Sequence, residues 1–466
     1  MDMNKSFMTI RKTAAILAMA FSCNAAIAQN TQSGYFVDGY LYRFETNPAI
    51  GNDQNFIAMP ALGNVNVGMN STFGIDNVLY NINGKTTTFL NPGVNAKSFL
   101  NGLDDENEFG LSTRIQLLAA GFKAWGGYNT INVDVRTSVN AVLPKSIFQL
   151  AKEGPKNQVY DIRDMAADAN AFAQIALGHS RKINDQWRVG ANLKFLLGGA
   201  NMEANFDKAL LNLNENGYTA VTNATVNTSV KGFQYKMETK MRGPEGKQSP
   251  HTYVNDVDID GTGLNGFGLG LDLGATFTLN QDWQFSASLI DLGFINWNNN
   301  MQASTNGDRT FETNKYIFNA DDKADNSFER EMDRMSEGLA TLYELQDNGD
   351  MGSRTTGLDA TMNLAAEYTL APYRELSFGL MNTTRFGEYG WTDFRLSANW
   401  KPMKWLSASV NLVTGTYGFD MGWLLNIHPD GFNFFIGMDR LTGKLAKPGV
   451  PVSLNSQVNM GLNIPF

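Results

Sequence analysis

The sequence predicts an all-β protein: a transmembrane antiparallel β-barrel of about 14 strands, with an N-terminal hatch or plug segment and long extracellular loops. Three observations carry this expectation. The C-terminal stretch alternates, with Leu454, Val458, Met460, Leu462, Ile464 and Phe466 on one parity and Asn455, Gln457, Asn459, Gly461 and Asn463 on the other. Such alternation marks a strand with two unlike faces, and an outer-membrane strand turns its apolar face to lipid and its polar face to the lumen. Segments of the same kind recur along the chain, while no run approaches the roughly 18 apolar residues of a transmembrane helix. Trp187, Trp283, Tyr373, Trp400 and Trp405 lie within a few residues of short turns, where amphipathic rings anchor at a membrane interface. Phe466, a terminal aromatic on the last strand, is the expected assembly signal for the barrel assembly machinery.

The 466 residues divide into an expected signal peptide at 1–28, a plug at 29–62 and a barrel at 63–466. Lys5, Arg11 and Lys12 precede a short apolar core, and Ala26-Ile27-Ala28 is a cleavage pattern before Gln29. Export places the protein in the outer membrane of a Gram-negative cell, in contact with its lipid. Cys23 also stands where a lipid-modified cysteine can sit, but Ala20 replaces the usual leucine. The whole chain carries 37 basic and 46 acidic residues. Its first 28 carry three and one, which leaves 34 against 45, a formal charge of −11. That balance argues against nucleic acid as a partner. Cys23 is the one cysteine, so the mature chain has neither disulfides nor thiolate chemistry.

Residues 29–62 are aromatic and aperiodic, with Tyr35-Phe36, Tyr40, Tyr42-Arg43 and Asn47-Pro48-Ala49. Alternation then predicts strands at 63–73, 109–123, 131–139, 171–177, 187–195, 269–279 and 283–292. Gly126 to Asn129 reads as a turn, and Pro144 opens a short helix, Lys145 to Ala151. Long loops are expected at 74–108, 142–169, 205–262 and 293–354, the third with a hairpin turning at Asn214 to Gly217. In the fourth, Phe328, Met332, Met335, Leu339 and Leu342 recur at helical spacing, and Asn326 with Glu329 reads as a capping box. Seven closely spaced strands follow at 357–369, 375–386, 392–401, 404–415, 417–426, 431–440 and 454–464. An even total leaves both chain ends on the side of the short turns. About 14 strands enclose more space than eight, so water or the plug must fill the lumen.

Chemistry-bearing residues are few. His179-Ser180 lies in a strand, where neighbours point to opposite faces, so an enzyme needs another partner for either. Asp256 to Gly261 has acids at alternate positions, but Phe267 stands where a calcium loop needs Glu. Nothing in the sequence calls for a metal or cofactor. Asp272 and Asp291 are about equally far from the turn at 280–282, so they should be neighbours across a hairpin. Two facing carboxylates need a cation or proton between them. Either a salt-bridge network with Lys or Arg serves, or a latch to the plug through Arg43.

Asn47-Pro48-Ala49, Gly266-Phe267, the stretch Leu271 to Ala275 and the stretch Leu289 to Trp297 resemble the long-chain fatty-acid transporter (FadL-like) family, in an uncharacterised Bacteroidota branch. The resemblance implies a 14-stranded barrel whose N-terminal hatch carries the Asn-Pro-Ala motif. It also implies uptake of hydrophobic small molecules, with the hatch moving to open a lateral path. Relatives of this shape also serve secretion systems, so a barrel acting as scaffold for a surface partner stays open. The long charged loops and the amphipathic helix favour that alternative.

Overall fold

The computed structural model describes residues 31–466 apart from 75–76, 78, 83, 155, 215–216, 243–247, 320–325, 442–444, 447–449 and 452–454. The expected signal segment, with Cys23, lies outside the described residues, as does the tip of the hairpin at 214–217.

Among the described residues, 14 antiparallel strands close into a barrel. They are β1 Val65–Ser71, β2 Glu106–Ala124, β3 Gly127–Pro144, β4 Ala166–Lys182, β5 Trp187–Asn214, β6 Gly266–Thr278 and β7 Trp283–Trp297. The second half comprises β8 Thr361–Thr369, β9 Leu376–Arg385, β10 Trp391–Met403, β11 Leu406–Gly415, β12 Gly418–Ile427, β13 Asn433–Leu441 and β14 Ser456–Pro465. Each pairs with the next, and β14 pairs with β1 through Val65 opposite Met460. Among the described residues, every one of the 14 wall strands thus has a partner on both sides.

Side-chain parity sorts the two faces. On β11, Val410 and Leu412 are 53% and 42% exposed, while Ser409 and Asn411 are 2% and 1%. On β6, Phe267, Leu269, Leu271 and Leu273 face outward, and Asp272 faces in. An apolar outer surface this continuous is stable only against lipid or a partner. Trp187, Trp283, Tyr373, Trp400 and Trp405 are all exposed near the short-turn end, and the Trp400 indole donates to Tyr373.

The structure refines several boundaries. Phe56–Ala58 already belongs to the wall, lying between β14 and β2. Trp125 and Gly126, both at positive φ, make the first short turn, so Tyr128 and Asn129 are in β3, not in the turn. β5 runs for 28 residues, well past 195. Its far half pairs with Gly217–Val230 in a hairpin beyond the wall. Ala209, Leu213, Ala220 and Ala224 are buried there among polar neighbours such as Asn205, Asn212 and Asn223, and the apolar alternation that marks the wall is lost. The helix in the fourth loop, α3, is Phe328–Thr341, capped at Ser327 with no side-chain bond. The expected Asn326–Glu329 capping box does not form, because Asn326 donates to the Ile317 carbonyl. Two further helices, α1 Ala96–Asn101 and α2 Lys145–Glu153, cover the long-loop end. Phe99 and Phe148 pack there with Phe89, which stacks on Phe99 at 4.5 Å.

Candidate functional site: a plugged lumen and its cavity

Residues 31–55 sit inside the barrel and are tied to the wall around the ring. The Gln32 and Ser33 amides donate to Asp439 on β13. Arg395 on β10 donates to the Ser33 hydroxyl at 3.1 Å. Glu45 accepts both guanidinium nitrogens of Arg114 on β2, at 2.9 and 2.7 Å, and Arg114 also reaches Asp134 on β3. Removing such buried charges from water is costly, so they persist only when paired and hydrogen-bonded. The plug's own apolar residues, Val37, Tyr40, Tyr42 and Phe44, pack with Phe56, Leu424 and Phe435 of the wall.

Asn47, Pro48 and Ala49 form the tightest seat. The Asn47 side-chain oxygen Oδ1 accepts the Ala49 amide at 3.0 Å, closing an Asx turn. Its amide nitrogen donates to the Tyr35 hydroxyl at 3.2 Å, and to the main-chain carbonyls of Ala275 on β6 and Ala287 on β7. Pro48 lies against Gly190 on β5, and Asn47 against Gly274 on β6. A Cβ at either glycine would overlap the motif, so the wall is hollowed to receive it. The Thr46 carbonyl accepts from Ser288 and Asn363.

Asp272 and Asp291 meet through a defect in the wall. The β6–β7 register shifts between Leu271 and Leu273, giving β7 one extra residue. Asp291 adopts φ 60° and faces inward together with Ile290. Bulges of this kind re-aim side chains. The Asp291 amide donates to the Asp272 carboxylate at 2.8 Å. Lys194 on β5 lies 2.6 Å from both carboxylates. Arg136 on β3 makes a bidentate pair with Asp291 at 3.0 and 2.9 Å, and Asn192 donates to Asp272. The pair is thus neutralised by Lys194 and Arg136, and the alternative latch to Arg43 is corrected. Arg43 lines a different cavity, near the short turns.

The other side of β7 is also irregular. Its ladder with β8 ends at Ile290 opposite Thr361. Pairing resumes at Phe294 opposite Gly357. Between them the Leu358 amide bonds to the Gly293 carbonyl. Behind this interruption, on the long-loop side of the plug, is a cavity of about 590 Å³. Its wall beside β7 is apolar, with Phe172, Ile290, Ile295 and Leu358. Its remainder is charged and polar, including Arg136, Asp168, Arg385 and Tyr389. Arg385 pairs with Asp359 at 2.7 Å, and Arg354 pairs with Glu203.

The remaining candidates separate. His179 is exposed on the outer face, and Ser180 is buried inside, where it accepts from Arg188. His179 bonds instead with Asn129. Asp258 pairs with Lys236 across a loop hairpin. Phe466 is exposed, and its amide donates to Asn55. Sequence reasoning missed Lys194, Arg136, Glu45 and Arg114. The first two alternate with Leu193 and Phe195, and with Val135, so parity alone assigns them to the lumen.

Similar solved structures include the Ralstonia pickettii toluene transporter TbuX, at 8% identity over 90% of this chain and 91% of that one, TM-score 0.40. A Pseudomonas aeruginosa FadL homologue is 9% identical over 95% of this chain and 98% of that one, TM-score 0.38. The Pseudomonas putida toluene transporter TodX is 7% identical over 95% and 94%, TM-score 0.36. No curated protein matches. The family of unknown function DUF5723 matches residues 48–439, from the Asn-Pro-Ala motif to β13, and the chain belongs to that family.

Proposed function

We propose that this protein is an outer-membrane channel that binds a small molecule with an apolar body and a polar head, of the fatty-acid type, and passes it across the membrane. The observation that carries this reading is the cavity on the plug, whose apolar wall coincides with the interrupted β7 ladder. Its volume of about 590 Å³ falls within the range of about 300–1,000 Å³ found for small-molecule sites. An aliphatic body suits Phe172, Ile290, Ile295 and Leu358, and a polar head suits the charged side opposite. The test is titration of a fluorescent fatty-acid analogue into the detergent-purified barrel, with Trp391 in the cavity lining as energy donor. Saturable binding is expected, reduced at least tenfold in Phe172→Asp. Only unsaturable partition, equal in both proteins, overturns the reading.

A second reading, a scaffold for a protein partner at the cell surface, is favoured by exposed Ile317, Phe318, Phe328 and Tyr343 on and beside α3. Deleting 326–346 should abolish partner capture under that reading and spare ligand binding under the first.

A further inference from the structure

Two cavities lie along one strip of the wall. The first reaches Thr361 and Asn363 on β8 and Arg385 on β9. A second, of about 240 Å³, lies nearer the short turns and reaches Glu367 and Thr369 on β8 and Ser377 on β9. The inward residues of β8 run Thr361, Asn363, Ala365, Glu367, Thr369, and those of β9 run Ser377, Gly379, Met381, Thr383, Arg385. On these two strands Ala365, Gly379, Met381 and Thr383 therefore stand between the two cavities. On the plug side one apolar layer faces them: Tyr35 and Phe36, with Ile50 packed alongside.

The two rings of that layer are held differently. They meet edge to face at 4.9 Å. Tyr35 is tethered through its hydroxyl to Ser286 at 2.7 Å and to Asn47. Phe36 has no polar atom on its ring and is held by packing alone. It rests on Gly379, where a Cβ would overlap the ring. Beyond it the second cavity holds Asp38 and Lys401, which pair with each other, and Arg43 and Glu367. Burial would raise the Asp38 carboxyl, but its hydrogen bond to Lys401 and the neighbouring positive charges hold it below the ordinary value. A buried apolar layer between two polar cavities is a barrier to any polar or charged group.

We infer that Phe36, seated on Gly379 and against Met381, is the gate between the outer cavity and the inner one. Its displacement joins them into a path along β8 and β9 without moving the Asn47 anchor. The inference rests on the channel reading above, and its test uses a neutral probe so that the two can fail separately.

The full-length barrel is reconstituted in liposomes, and swelling in a small neutral sugar such as arabinose is measured. Phe36→Ala and Gly379→Ala, confirmed as folded by their migration on unboiled gels, should raise the swelling rate at least fivefold. Phe44→Ala, which opens a similar space in the plug away from this strip, should leave it unchanged. The mature chain lacks cysteine, so a bulky maleimide on Phe36→Cys should close the path that this variant opens. Unchanged swelling in both Phe36→Ala and Gly379→Ala, or an equal rise in Phe44→Ala, overturns the gate. A sugar leak without any fatty-acid binding keeps the gate and removes the ligand assignment.

Discussion

Lys194→Met is the perturbation whose consequence is best defined. Lys194 lies 2.6 Å from both Asp272 and Asp291, and the three side chains are 6%, 1% and 11% exposed. With Arg136 the group is neutral, two cations against two carboxylates. Methionine keeps most of the side-chain volume and removes one charge, leaving two buried carboxylates to share Arg136. Breaking a buried pair from one side costs about 3–5 kcal/mol, because a charge is stranded. At about 2.1 cal/mol/K per residue, a chain of this length unfolds with an entropy near 1.0 kcal/mol/K, so the melting temperature should fall by roughly 3–5 °C. The assay is thermal unfolding in detergent, followed by tryptophan fluorescence and by migration on unboiled gels. The second variant decides the interpretation. Asp272→Asn added to Lys194→Met restores neutrality: the new side-chain oxygen still accepts from the Asp291 amide, and its NH2 donates to the Asn192 oxygen once that side-chain amide turns over. At least half of the loss should return. A Lys194→Met shift below about 1 °C on the same entropy scale, or a double variant less stable than the single one, would refute the charge-balance argument.

Three further outcomes are expected. Arg114→Ala leaves Glu45 and Asp134 buried without their guanidinium. It should cost about 3–5 kcal/mol and release the plug to protease while the barrel stays folded. Gly274→Val places a side chain where Asn47 sits, so it should unseat the motif and raise sugar permeability. Gly418→Ala, at a turn with open space around it but at φ 86°, adds local backbone strain and should do neither. Removal of Phe466 should lower the yield of assembled barrel in cells, scored as the heat-modifiable band, and normal assembly without it would discard the terminal-signal expectation.

The strands were legible wherever lipid imposes alternation. β6, β11 and β14 carry it almost without interruption, and the strand count followed from parity and turn spacing. Legibility failed where that pressure stops. β5 continues for many residues above the wall, where lipid no longer imposes alternation. The bulge in β7 did leave a trace in the sequence. The outward apolar series Trp283, Phe285, Leu289 is odd-numbered and then becomes even at Leu292 and Phe294, and the switch falls at Ile290-Asp291. Symmetry about the turn at 280–282 was enough to bring Asp272 and Asp291 together. It could not name their cations, because Arg136 reaches Asp291 across the lumen from β3, four strands away in the ring. Partners of that kind exist only once the sheet closes. The plug contacts were illegible for the same reason: aperiodic residues such as Glu45 and Asn47 acquire their roles from wall residues 69 and 228 positions distant.

The central claim is that the cavity on the plug holds a molecule with an apolar body. Mass spectrometry of organic extracts from protein purified in mild detergent tests it most directly, with Phe172→Asp prepared in parallel. The account predicts one fatty-acid-like compound near one equivalent per chain in the wild-type protein and its absence from the variant. An extract containing only bulk membrane lipid, identical in the two preparations, would contradict it and move the weight to a protein partner at the loops.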